Sequence, residues 1–125
     1  MNATLTLNTL TFTQGPSTES GSIRREISRG VNLPEILTIK HQDYVDSKSK
    51  IPGTRSVVRL DRYVEVTDGR VVPVSAHVVV SVPADANIVT ADVTACVDRL
   101  VNLLHGATNT SGLDLKSAIF ASKEQ

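Results

Sequence analysis

Hydrophobic and polar positions alternate most regularly between Arg55 and Pro83. Ser56, Val58, Leu60, Val64 and Val66 fall on one side, and Arg55, Arg59, Asp61, Tyr63 and Glu65 on the other. Beyond Thr67-Asp68-Gly69-Arg70, the residues Val72, Val74, Ala76, Val78, Val80 and Val82 share a side, with Ser75, His77 and Ser81 opposite them. A period of two over this length predicts two half-buried antiparallel strands joined by a tight reversal. A two-residue Asp68-Gly69 turn would set Leu60 against His77 and Val64 against Pro73, mixing the faces. A three- or five-residue loop pairs Val66 with Val72, Val64 with Val74, Leu60 with Val78 and Val58 with Val80. The apolar sides then coincide, so an odd-length loop is predicted. That register places Asp61 opposite His77 and Tyr63 opposite Ser75, away from the core. Arg62 is the misfit, opposite Ala76 on the apolar side.

The flanking chain predicts further strands and then helices. Ala3 to Thr13 is Thr-rich and β-prone, with its alternation switching near Asn8, as at a bulge or twist. Gly15-Pro16-Ser17-Thr18 reads as a turn. Ser20 to Arg29 reads as a returning strand, although Ile23 and Ile27 also suit a short helix. Leu33 to Tyr44 reads as a strand, with Leu33, Leu37 and Ile39 on one face and Thr38, Lys40, Gln42 and Tyr44 on the other. Asp46 to Gly53 is a polar loop. After Pro83, Thr90 is a candidate helix N-cap, and Asp92 suits the first-turn dipole. Val93, Val97, Leu100, Val101 and Leu104 form one apolar stripe, and Gly106 ends the helix. Leu113 to Ala121 predicts a second, short helix, with Leu115, Ala118 and Ile119 inward.

The predicted class is α+β: an N-terminal β-hairpin over residues 1–30, an antiparallel sheet over 33–83 and two helices over 90–121, in a single domain of 125 residues. Two short helices are few for covering such a sheet. A partner chain contributing its own helices would cover it, which predicts an intimate homodimer.

Composition adds limits. Thirteen Lys and Arg balance thirteen Asp and Glu, so the chain has no global basic signature. From Lys40 to Arg70 there are seven basic residues against five acidic, and from Asp85 onward three against five. Any nucleic acid would favour the sheet. Cys96 is the single cysteine, which excludes an intramolecular disulfide and a cysteine-based metal site. The start lacks the pattern of a secretory signal, and no run approaches a membrane span, so a soluble protein made in a cytoplasm is expected. His41, His77 and His105 have no metal-site spacing, and no phosphate-binding glycine loop or catalytic constellation is present. An enzyme is not expected, nor a cofactor. The non-core sheet face instead gathers Thr38, Lys40, Gln42, Arg55, Arg59, Tyr63, Ser75, His77 and Ser81. Such a surface can hold phosphates through its cations and unpaired bases through stacking and edge hydrogen bonds. A solvated sheet face has the same pattern.

The order of elements resembles the coat proteins of single-stranded RNA bacteriophages, the levivirus type. The resemblance covers essentially the whole chain. It is plainest from Val57-Val58-Arg59-Leu60, through Val71-Val72-Pro73-Val74 and Val80-Ser81-Val82-Pro83, to Cys96-Val97-Asp98-Arg99-Leu100-Val101. It implies interlocked dimers in which each chain's helices pack over the partner's sheet, with Val93, Val97, Leu100, Val101 and Leu104 at the dimer interface. It also implies a small icosahedral shell, virion localisation after assembly in the bacterial host cytoplasm, and no membrane partner. Single-stranded genomic RNA, and an RNA hairpin that represses replicase translation, would be bound on the inner sheet face. By position, Thr38, Lys40, Gln42, Arg55, Arg59, Tyr63 and His77 would face RNA. Thr67, Asp68, Gly69, Arg70, Val71, Val72 and Pro73 would form the loop between dimers. That loop is shorter here than in familiar members and has no cysteine, so disulfide-linked capsomers are not implied. The rival reading is a non-viral α+β homodimer that binds a small ligand or a protein on the same face.

Overall fold

The structure is a computed structural model that describes residues 4–104 except 8 and 19. These fall into two compact units that divide at Ala84 and Asp85. The expected helix over 113–121 lies outside the described residues.

The first unit is a six-stranded antiparallel meander in sequence order. Its strands are β1 (Thr4–Leu7), β2 (Leu10–Thr18), β3 (Gly21–Glu26), β4 (Glu35–Val45), β5 (Pro52–Glu65) and β6 (Val71–Pro83). The N-terminal hairpin is therefore continuous with the sheet. The predicted single strand from Ala3 to Thr13 is instead β1 and part of β2. Leu7 pairs with Leu10, and Thr9 reverses the chain at a φ of 71°. The switch in alternation marks that reversal. The turn expected at Gly15 to Thr18 is also corrected. β2 runs through it, and the register shifts between Gln14 and Ser17 as at a bulge. Proline has no N–H for a ladder, and a bulge accommodates that. Ser20 to Arg29 does hold a strand, β3. The loop expected from Asp46 to Gly53 ends earlier, because Pro52 and Gly53 open β5. Asp46 organises it by accepting from the Ser49 N–H and hydroxyl, both at 2.7 Å. Those bonds hold its carboxyl below the usual range.

The central hairpin has the predicted odd-length loop, but its centre lies one residue earlier. The Val66 N–H donates to the Arg70 carbonyl, the Gly69 N–H donates to the Val66 carbonyl, and Gly69 has a φ of 87°. Asp68 accepts from the Arg70 N–H and pairs with its guanidinium at 2.6 Å. Val58 therefore pairs with Val78, Leu60 with Ala76 and Val64 with Val72. Pairing moves by two positions, so every side chain keeps its predicted face. Of the expected Thr67–Pro73 loop, Val71, Val72 and Pro73 belong to β6.

Among the described residues the buried apolar side chains are Phe12 and Leu37, and the register puts both on one face. That face continues along β5 and β6 as Val58, Leu60, Val64, Val72, Val74, Val78, Val80 and Val82. Val58 and Val74 are 45% and 64% exposed. The misfit Arg62 is explained on the same face. It pairs across strands with Glu35, a buried carboxylate, and its Nη1 lies 2.7 Å from Glu35 Oε1.

The second unit holds α1 (Thr90–Leu104). Thr90 is its first residue, and the capping role goes to Asp92, whose carboxylate accepts from the Val89 N–H at 3.1 Å. None of its residues is buried. Val93, Val97 and Leu104 are half-buried, whereas Leu100 and Val101 are 47% and 51% exposed. Among the described residues no helix is long and apolar enough to cross a membrane.

Candidate nucleic-acid interface

Opposite the apolar face, the pairings of β4, β5 and β6 arrange side chains in rows. Gln42, Arg55 and Ser81 make one row, and Lys40, Val57 and Val79 the next. Thr38, Arg59 and His77 follow, then Ile36, Asp61 and Ser75. Tyr63 lies one row farther, opposite Pro73. Successive rows are about 7 Å apart, the rise of two strand residues. All seven sequence-predicted residues therefore lie on this face, with Thr38, Lys40, Gln42, Arg55, Arg59 and His77 in three adjacent rows and Tyr63 at the far end. The expected opposition of Asp61 to His77 and of Tyr63 to Ser75 does not occur, because of the two-position shift. Arg59 stands opposite His77 and Asp61 opposite Ser75.

Local chemistry distinguishes the cations. Arg55 lies over the Tyr44 ring, its Cζ 4.7 Å from the centroid, and its Nε donates to Ser81 Oγ at 3.3 Å. A guanidinium held flat against an aromatic ring keeps its outer edge in a fixed plane. Tyr44 has room to lie there because Gly53, directly opposite it, is buried and has no side chain. A Cβ at Gly53 would come 3.0 Å from Tyr44 Cε1. Tyr44 was missed as a site residue, although it shares the alternation of Thr38, Lys40 and Gln42. Lys40 is exposed and projects from the middle row.

Arg59 is tethered. Its Nε donates to both Asp61 carboxylate oxygens, at 3.0 and 3.2 Å, and its Nη2 donates to Ser75 Oγ at 3.3 Å. The Ser75 hydroxyl in turn donates to Asp61. This hydroxyl, and then the guanidinium, hold the Asp61 carboxyl below its usual range. A lowered folded-state value means that the charged form stabilises the fold. The contribution is complete above about pH 4 and is lost as pH falls through the lowered value. The Arg59–Asp61 pair also removes part of the face's positive charge, an effect that residue types alone did not reveal.

This surface offers phosphate contacts from three cations, hydrogen bonds from hydroxyls and an amide, and ring or guanidinium planes for stacking. Among the described residues no group of three or more His, Cys, Asp and Glu is placed to hold a metal ion.

No protein-family model and no curated protein sequence matches the chain. Solved structures do. A virus-like particle of bacteriophage GQ-907 superposes with a TM-score of 0.68 at 15% identity, over 93% of this chain and 84% of that one. The coat protein of bacteriophage EMS014 gives 0.61 at 22% identity, over 84% and 68%. A virus-like particle of bacteriophage AVE015 gives 0.57 at 22% identity, over 74% of this chain and 66% of that one, slightly under two thirds of its length. The chain is therefore built on the fold of bacteriophage coat proteins, an antiparallel sheet followed by a helix.

Proposed function

We propose that this chain is the coat protein of a single-stranded RNA bacteriophage of the levivirus type, a structural protein rather than an enzyme. It dimerises, assembles into a small icosahedral shell and binds RNA on the face that carries Lys40, Arg55 and Arg59. The likeness to bacteriophage coat and particle structures over most of the chain is the observation that carries this reading. Three further features support it. The sheet keeps an exposed apolar face along β5 and β6. The outer edge of β6 pairs with no described strand, and an unpaired edge of 13 residues is a template for a second copy. The stripe of α1 includes half-exposed Leu100 and Val101. A second copy would align the two β6 edges, cover each apolar face with the partner's helices, and double the cationic rows into one surface toward the shell interior. The loop Val66–Arg70 would lie between dimers. The same surface would bind a repressor hairpin in the RNA of the phage.

On this surface Lys40, Arg55 and Arg59 contact phosphates, while Tyr44, Tyr63 and His77 lie beside bases. Replacing Lys40 and Arg59 together by alanine is expected to leave dimers intact but to weaken RNA binding. It should also flatten the slope of log affinity against log salt by about 0.7 per lost contact on single-stranded RNA. Fluorescence anisotropy across a salt series measures both, and unchanged affinity and slope would exclude this face. Asp61→Asn tests the tether in the opposite direction. It keeps the shape and removes the negative charge beside the Arg59 guanidinium, so affinity should rise. An unaltered affinity would mean that Arg59 lies away from the phosphates.

A further inference from the structure

A concavity of about 490 Å³ opens along β3, beside the register shift of β2. Ile23, Arg25 and Ile27 line it at every second residue. Thr13 and Gly15 of β2 lie on its other side, and Gly15 brings no side chain. Spacing alone suits Ile23 and Ile27 to a short helix as well as to a strand. The extended chain instead puts both in one wall, with Arg25 between them.

The register shows which side of the sheet this is. Arg25 pairs with Thr13 on β2 and with Ile36 on β4, and Ile36 pairs with Asp61. Ile23 pairs with Thr38, and Thr38 with Arg59. Residues paired across strands share a face. Ile23 and Arg25 therefore belong to the face of Lys40, Arg55 and Arg59, not to the apolar face of Phe12 and Leu37. Arg25 lies one row along and two strands across from Arg59, about 12 Å away by strand geometry.

The chemistry here differs from that of the neighbouring rows. Those rows combine cations with hydroxyls and an amide. Here a guanidinium stands between two branched apolar side chains. Arg25 is exposed and, among the described residues, joins no ion pair, whereas Arg59 is held by Asp61. Ile27 is 49% exposed. An apolar wall alone would accept any apolar group. A cation set within it calls for an anion joined to a flat apolar group. An unpaired nucleotide has both, a phosphate and a free base face. A base within a duplex is stacked on its neighbours and presents no face.

We propose that this concavity seats one unpaired nucleotide of RNA, its base against Ile23 and Ile27 and its phosphate on Arg25. The path of the RNA then continues from β4–β6 onto β3. This rests on the RNA-binding role proposed above for the same face.

The test uses the full-length protein freed of nucleic acid. Arg25 and Ile27 are exposed, so Arg25→Ala and Ile27→Ser should keep the circular dichroism spectrum. Fluorescence anisotropy across a salt series follows three probes: a single-stranded oligouridylate, the same chain with abasic riboses, and an RNA duplex. Arg25→Ala should weaken oligouridylate binding and flatten its salt slope by about 0.7. Ile27→Ser should weaken it about fivefold with no change of slope. Ile27→Ser should leave the abasic chain and the duplex unaffected. Wild-type affinity and slope in both variants would overturn the proposal. If Lys40→Ala with Arg59→Ala still weakened binding, the wider RNA-binding reading would survive that result. An equal loss on base-bearing and abasic chains in Ile27→Ser would also overturn it, since no base would then be seated. Failure of the wild-type protein to bind any of the probes would overturn both readings together.

Discussion

Replacing Leu100 and Val101 of α1 by aspartate is expected to abolish particle formation while leaving the sheet unit folded. Both side chains are about half exposed in the single chain and extend the stripe of Val93, Val97 and Leu104. Full burial of such a side chain contributes about 1.5–3 kcal/mol, and about half remains to be gained on association. Four side chains per dimer then amount to about 4 kcal/mol, roughly three decades in the association constant, before the cost of burying a carboxylate is counted. Sedimentation velocity should show species no larger than free subunits, and the far-ultraviolet circular dichroism should keep its strand signal. Particles of wild-type size from this variant would remove the helix from the assembly interface.

Arg62→Leu is expected to destabilise the sheet, and Glu35→Leu combined with Arg62→Leu to restore it. Arg62 is half exposed and Glu35 is buried, and they meet at 2.7 Å across β4 and β5. Removing only the arginine leaves a carboxylate in the sheet interior without its cation, at a cost of about 1–3 kcal/mol. Replacing both by apolar residues removes the desolvated charge as well and extends the apolar surface, an exchange that is commonly neutral or stabilising. Urea unfolding at neutral pH distinguishes the two. Equal destabilisation in the single and double variants would mean that the ion pair itself, rather than relief of a buried charge, stabilises this part of the sheet.

The period of the central strands was legible because each has one mostly apolar side and one mostly polar side. Val58, Leu60 and Val64 therefore locate the core face whatever the loop does. The pairing itself was legible only to within two positions. Moving the loop centre by one residue preserves every face, so the hydrophobic pattern could not choose, and the backbone bonds of Val66, Gly69 and Arg70 decided it. The N-terminal reversals were misread for a different reason. Thr9 makes a turn in a conformation that favours glycine, while the turn-forming Gly15-Pro16 pair sits within a strand. Of the candidate site, the residue types and their common face were readable from alternation. The stacking of Arg55 on Tyr44 and the tethering of Arg59 by Asp61 and Ser75 were not, since they depend on side-chain directions within a row. The Glu35–Arg62 pair lay hidden as an apparent error in the pattern until the two strands were set side by side.

Particle size and nucleic-acid content of the purified protein test the central claim most directly. Expressed in a recombinant bacterium, the protein should scatter light as large, uniform particles. Their absorbance ratio at 260 and 280 nm should be that of a ribonucleoprotein, and their RNA should resist added nuclease. Clean dimers without nucleic acid, at every salt and protein concentration, would contradict a coat protein and favour a dimeric binding module on the same sheet face.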